Sequence, residues 1–246
     1  MDLIVDKKKC LGEGGFGQVY LGKWKGQKVA VKRFKILDSE NDDKTKKMIQ
    51  YEINLVKMLK SRYIIQTFDV MEYEGAMVIV SDFAEMGSLR NVLENESITL
   101  TWETKWDFAE GIARGMDFLH KFNVIHRDLK SHNILVTKNM EVKLADFGLA
   151  KIKKSAKENK TEFSTKLKAE GTIPWMAPEL FHKEPVFSRK SDIYAYGMIL
   201  WEIASQDIPY IDYLSAVVSF LVVGQGLRED IPLGTPKYFA QLIRRC

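Results

Sequence analysis

The 246-residue sequence predicts an α+β fold in two parts, a smaller β-rich part followed by a larger, mainly α-helical one. Three patterns carry that reading. Alternating, β-branched runs separated by glycine turns fill the first third. After Gly87, apolar residues recur every three or four positions instead. Residues 191–204 are then apolar on nearly all sides, which marks a helix buried all round. The change of pattern near 84–88 assigns 1–84 to the first lobe and 85–246 to the second.

Taken in order, the first element is a glycine cluster at 12–17, followed by strands at 18–22 and 28–32 with a turn at Gly26. The acidic stretch 38–43 is a helix start, and behind it Met48, Glu52, Leu55, Val56 and Leu59 share one helical face. Two further strands are expected at 64–70 and 77–81, joined at Gly75. In the second part, Trp102, Trp106, Ala109, Ile112, Ala113, Met116 and Leu119 define an amphipathic helix of about five turns. Short strands fit 134–136 and 142–144, and two more helices fit 213–223 and 238–245.

Composition narrows the function classes. Hydrophobic residues are 46% and charged residues 28%, too apolar for a disordered chain. No run approaches the roughly 18–20 apolar residues of a membrane span; the longest candidate, 213–224, contains Ser215 and Ser219. The opening MDLIVDKKKC has an acid before and lysines after its apolar run, the wrong shape for a signal peptide. Cys10 and Cys246 cannot make a disulfide framework for this length, so a reducing, cytoplasmic setting is expected. Residues 151–168 hold seven lysines against two glutamates, a local excess larger than the chain's net +4. With Phe163 the sole aromatic there, the run reads as a solvated segment and no nucleic-acid partner is expected.

Four motifs carry chemistry. Gly12-Glu13-Gly14-Gly15-Phe16-Gly17 can turn tightly and lay backbone N–H groups against phosphate oxygens. A dinucleotide-binding turn would need a helix next, whereas 18–21 reads as a strand; a plain glycine-rich hairpin is the other alternative. Lys32, fifteen residues after Gly17, is placed to neutralise phosphates. Glu52 is its candidate counter-ion, or else a residue at the edge of an apolar face. His126-Arg127-Asp128-Leu129-Lys130-Ser131-His132-Asn133 precedes Asp146-Phe147-Gly148, and the oxygens of Asp128, Asn133 and Asp146 suit magnesium. The fourth motif is Gly171-Thr172-Ile173-Pro174-Trp175-Met176-Ala177-Pro178-Glu179.

In this order and spacing the motifs resemble the signature set of a protein kinase catalytic domain, from Leu11 to about Ile243. The resemblance implies the bilobal kinase fold, ATP and Mg2+ as cofactors, and protein substrates. It implies that Gly12, Gly14, Gly15 and Gly17, with Leu11 and Phe16 in the same loop, cover the phosphates. Val19 and Ala30 would lie above the adenine and Leu135 below it, with Ser81 as gatekeeper and Asp82 and Ala84 in the hinge. Lys32 would hold the α- and β-phosphates and pair with Glu52. Asp128 would orient the substrate hydroxyl and accept its proton, while Asn133 and Asp146 hold the metal. Phe147, His126 and Val56 would stack in the column of an assembled active state.

Lys130 resembles the serine/threonine type, where that lysine steadies the transferred phosphate. The Gly171–Glu179 run and Leu129-Lys130-Ser131 are most similar to the tyrosine-kinase-like group, which includes the mixed-lineage and receptor-interacting kinases. Transfer of the ATP γ-phosphate to serine or threonine is thus the implied reaction. A tyrosine or dual-specificity kinase and a nucleotide-binding scaffold without turnover are the alternatives. Retention of Lys32, Asp128 and Asp146 weighs against the scaffold. Regulation is expected through phosphate on Ser155, Thr161, Ser164 or Thr165, with Arg127 as its cationic partner. Kinases continue past the position of Cys246 with an Arg-Pro pair and a last helix, whose arginine pairs with the residue equivalent to Glu179. A truncated C-terminus is therefore expected, with Arg244 or Arg245 as possible substitutes for that arginine.

Overall fold

The computed structural model describes residues 3–14, 17–34, 53–54, 57–146, 151–152 and 172–246. Its first lobe is a five-stranded antiparallel sheet of β1 (Leu3–Gly14), β2 (Gly17–Trp24), β3 (Gln27–Phe34), β4 (Thr67–Tyr73) and β5 (Ala76–Asp82), in the order β1-β2-β3-β5-β4. Two hairpins turn on residues with positive φ, Lys25-Gly26 (49° and 84°) and Glu74-Gly75 (48° and 72°). That is the two-residue geometry that matches strand twist and favours glycine in its second place. Along β3 the period of two separates Val29 and Val31, fully buried with Val78, Val80 and Leu3, from Ala30 and Lys32 on the other face.

Several elements differ from the sequence pattern, among them β1, a strand not expected ahead of the glycine cluster. The strand expected at 64–70 starts at Thr67 and runs to Tyr73. Ile64 and Ile65 are claimed instead by the second lobe, where Ile65 N–H donates to Leu144 O at 2.9 Å. The helix α1 (Leu89–Glu94) is too short to show a helical period, and it is started by a reciprocal Ser88–Asn91 capping box.

The remaining elements are α2 (Trp102–Lys121), β6 (Val124–Ile125), β7 (Ile134–Val136), β8 (Val142–Leu144), β9 (Lys151–Ile152), α3 (Arg189–Ser205), α4 (Ser215–Gly224) and α5 (Lys237–Arg245). Together they confirm the bilobal α+β architecture. β7 and β8 form one antiparallel pair, and β6 pairs with β9. The hinge between the lobes is tied to β7 by Met86 N–H to Val136 O (3.2 Å) and Val136 N–H to Gly87 O (2.8 Å).

Helix α3 runs through the core of the second lobe, with Ile199, Leu200 and Ile203 fully buried. It also carries two buried acids, Asp192 and Glu202. The Glu202 carboxylate accepts from Ser131 Oγ (2.6 Å), Arg90 Nη1 (3.2 Å) and Trp175 Nε1 (2.7 Å). Burial pushes this carboxyl from its ordinary 4.5 up to about 7, while the bonds from Ser131, Trp175 and Arg90 act the other way.

A group whose folded-state value is raised binds more protons folded than unfolded between those two values. Its contribution to stability therefore falls as pH rises from about 4.5 to about 7 and is constant above. Urea unfolding of wild type and Glu202→Gln at a series of pH values isolates this contribution. The stability of wild type relative to the variant is expected to decline from acid to neutral pH, and a relative gain over that range would contradict the raised value.

Candidate active site

The site lies where the sheet of the first lobe meets β7, β8 and the loops around them. At its rim, β1 and β2 close a hairpin on Gly14 and Gly17. A Cβ on Gly17 would sit 2.1 Å from Arg33 O, so only glycine lets β2 pass this close to the end of β3. Val19 is the register partner of Lys32, and Ala30 is that of Ser81. Ser81 Oγ donates to Ala30 O at 3.5 Å.

In the hinge, Asp82 N–H is taken by Gln66 O and the Ala84 carbonyl by Gly87 N–H. The Asp82 carboxylate lies 3.3 Å from Lys143 Nζ. Leu135, half-buried on β7, is the partner of that same Lys143, and Leu11 stands half-exposed on β1. Gly15, Phe16, Glu52, Val56, Phe147 and the four hydroxyls at 155, 161, 164 and 165 lie outside the described residues.

Among the ion pairs that join the lobes, Lys32 Nζ donates to Asp146 Oδ1 at 3.0 Å. The lysine side chain is 17% exposed, so this cation works in a partly desolvated cleft where its attraction for anions is strengthened. Asp146 is joined to the loop beside it, because Ala145 N–H donates to Asn133 O at 2.9 Å.

That loop is built around Asp128. Asn133 Nδ2 donates both to the Asp128 main-chain oxygen (2.6 Å) and to Asp128 Oδ2 (2.9 Å). Lys130 Nζ lies 3.2 Å from the same Oδ2 and donates to Thr172 Oγ1 at 3.0 Å. The other carboxylate oxygen, Asp128 Oδ1, is buried and accepts no hydrogen bond among the described residues. A buried acceptor left open is costly in a folded chain, and such groups mark sites of use. Here one oxygen anchors the side chain and the second is presented.

The structure therefore brings together Lys32, Asp128, Lys130, Asn133 and Asp146, as the motif spacing predicts. A family model, protein tyrosine and serine/threonine kinase, matches residues 5–246. The chain belongs to that kinase family. Among its relatives is the "Probable serine/threonine-protein kinase drkB" of Dictyostelium discoideum, 36% identical over 240 residues, which cover 96% of this chain and 33% of the relative. The "Probable serine/threonine-protein kinase SIS8" of Arabidopsis thaliana is 37% identical over 238 residues (96% and 22%). "Mitogen-activated protein kinase kinase kinase 12" of Rattus norvegicus is 36% identical over 236 residues (96% and 24%). The kinase chain spans about a third or less of the length of these relatives.

The motif reading missed the residue that holds the loop carrying Asp128 in this kinase-family chain. Asp192, on the first turn of α3, accepts His126 N–H at Oδ2 (3.0 Å) and Arg127 N–H at Oδ1 (3.1 Å). Its Oδ2 also lies 2.9 Å from His120 Nε2, and His126 Nε2 lies 3.1 Å from Ala145 O. Arg127 and Asp146 both have left-handed backbone, with φ of 71° and 59°. Conformations of this kind persist only where the surroundings over-determine them, and Asp192 supplies that restraint for Arg127. A sequence signal did exist, since an acid inside a helix otherwise apolar all round requires a buried donor.

Asp192→Asn keeps the shape but turns one acceptor into a donor facing backbone N–H. Each donor left unpaired costs about 1–3 kcal/mol. A loss of stability in that range is expected from urea unfolding, and an unchanged midpoint would show that Asp192 does not restrain the loop.

Proposed function

We propose that this chain is a serine/threonine kinase domain that moves the γ-phosphate of ATP to hydroxyl groups of protein substrates. The observation that carries the reading is Asp128, with one oxygen held by Asn133 and Lys130 and the other buried and open. In this reading, residues 1–84 are the nucleotide-side lobe and 85–246 the substrate-side lobe. Asp128 Oδ1 aligns the incoming hydroxyl and takes its proton as the oxygen attacks the γ-phosphorus, whose bond to the bridging oxygen breaks and releases ADP. Lys130, bridging Asp128 and Thr172, steadies the transferred phosphate, an arrangement that favours serine and threonine over tyrosine.

Lys32 neutralises the α- and β-phosphates. Gly12, with no described atom beyond its chain neighbours within 4 Å of where its Cβ would be, would lie in the loop that covers the phosphates. The adenine would lie between Val19 and Ala30 on one side and Leu135 on the other, with the Ala84 N–H facing the base. Asn133 and Asp146 would hold magnesium, which when bound offsets phosphate charge. Their oxygens fit that ion, which takes one or two protein ligands beside phosphate. The two free thiols favour a cytoplasmic setting. Phosphate on Ser155, Thr161, Ser164 or Thr165, within the lysine-rich run, would serve as the activating switch.

Transfer from radiolabelled ATP to casein, followed by phosphoamino-acid analysis, tests the reaction. Phosphoserine and phosphothreonine are expected; phosphotyrosine alone would overturn the specificity, and nucleotide binding without transfer would overturn the activity. Asp128→Asn is expected to lower kcat by about 10²–10⁴-fold, the range of general-base catalysis, with nucleotide affinity retained. Lys32→Met is expected to lose most transfer while unfolding at the wild-type urea concentration. Wild-type turnover in either variant contradicts the assigned role.

A further inference from the structure

Glu202 is not in contact with the proposed reacting groups, yet it closes a ring that contains them. From its carboxylate the ring runs to Ser131 Oγ (2.6 Å), the first residue of the 3-10 turn 131–133 that carries Asn133. Asn133 binds Asp128 (2.9 Å), Asp128 meets Lys130 (3.2 Å), and Lys130 binds Thr172 (3.0 Å). Trp175 N–H donates to Thr172 O at 3.1 Å, and the Trp175 indole N–H returns to Glu202 at 2.7 Å. The His132 ring also stands edge-on to the Trp175 ring, with centroids 5.8 Å apart.

The catalytic turn and the 173–175 turn are thus joined at the front by Lys130–Thr172 and at the back by Glu202. Arg90 pairs with this carboxylate at 3.2 Å, but it is supplied with other acceptors as well. Its guanidinium donates to Asp207 O (2.8 Å) and Gln206 O (3.1 Å) and is ion-paired with Glu94 (3.0 Å). What Glu202 supplies is two acceptor oxygens, one bonded to each of two different turns, from a helix buried in the core.

We propose that Glu202 is a positioning residue that holds the catalytic turn and the substrate-side turn in one arrangement, so that breaking either bond impairs phosphoacceptor turnover and spares nucleotide binding. The role rests on the kinase reading above. A purely structural contact would affect both substrates through the amount of folded protein. A positioning contact acts on the phosphoacceptor alone, and its two arms act as one unit.

The test uses the 246-residue chain at pH 8, with casein as phosphoacceptor and fluorescent ADP as nucleotide probe. Ser131→Ala and Trp175→Phe each remove one arm, and Glu202→Gln disturbs both. Each single-arm variant is expected to lower kcat/KM for casein about tenfold, the size of one hydrogen bond to a charged group, with ADP affinity within about twofold of wild type. The double variant is expected to lose little more than the worse single one, since both arms act through Glu202. Independent, multiplying losses, or ADP affinity falling in step with casein turnover, would overturn the proposal.

A second readout needs no turnover: the Trp175 indole 15N–1H resonance, assigned by its absence in Trp175→Phe. It is expected to move in Ser131→Ala, because the carboxylate transmits the change, and an unmoved resonance would overturn the coupling. If wild type binds ADP but transfers no phosphate, the kinase reading fails by itself, and this resonance still decides whether Glu202 couples the two turns.

Discussion

The carboxylate of Asp192 accepts the main-chain N–H groups of His126 and Arg127 from inside the second lobe. Two consecutive amides directed at one side chain cannot also pair with a neighbouring strand, so this contact sets the path of the loop that follows. With that path set, Asp128 falls within reach of Asn133 and Lys130, and Ala145 N–H can bind Asn133 O. That last bond brings Asp146 to the cleft, where Lys32 meets it from the opposite lobe.

Burying an acid is costly unless donors surround it, and α3 buries two. Both are supplied with donors that include residues of the loops around the site, so a deeply buried helix also organises the polar groups beside it. The apolar residues of α3 lock the helix in the core. The two acids, ten positions apart on it, hold the loops that carry His126, Arg127, Ser131 and Trp175. Stability and site geometry are therefore parts of one arrangement in this lobe, and the strained backbone at Arg127 is held from its far side.

Much of the fold was legible because its signals are local. The hairpins at Gly26 and Gly75 follow from residues that tolerate positive φ, and the long helix α2 follows from its apolar stripe. The departures have equally physical causes. Ile64 and Ile65 satisfy a strand pattern, yet pairing with Leu144 offers them more than a place in the first-lobe sheet. Helix α1 has fewer than two turns, too little for a period to register. In the site, Asp128, Lys130 and Asn133 lie within six residues, so their association was readable from spacing.

The sequence by itself determined the two-lobed α+β plan, the family, and which motif residues fall close together around Asp128, because these rest on neighbours within a few positions or on motif order. Only the tertiary structure decided what restrains them. Asp192 meets partners 65 and 66 residues away, and Glu202 meets others at 27, 71 and 112. Such separations carry no periodicity and no spacing rule. A hydrogen bond across them exists only once apolar packing has placed α3 beside the loops it holds.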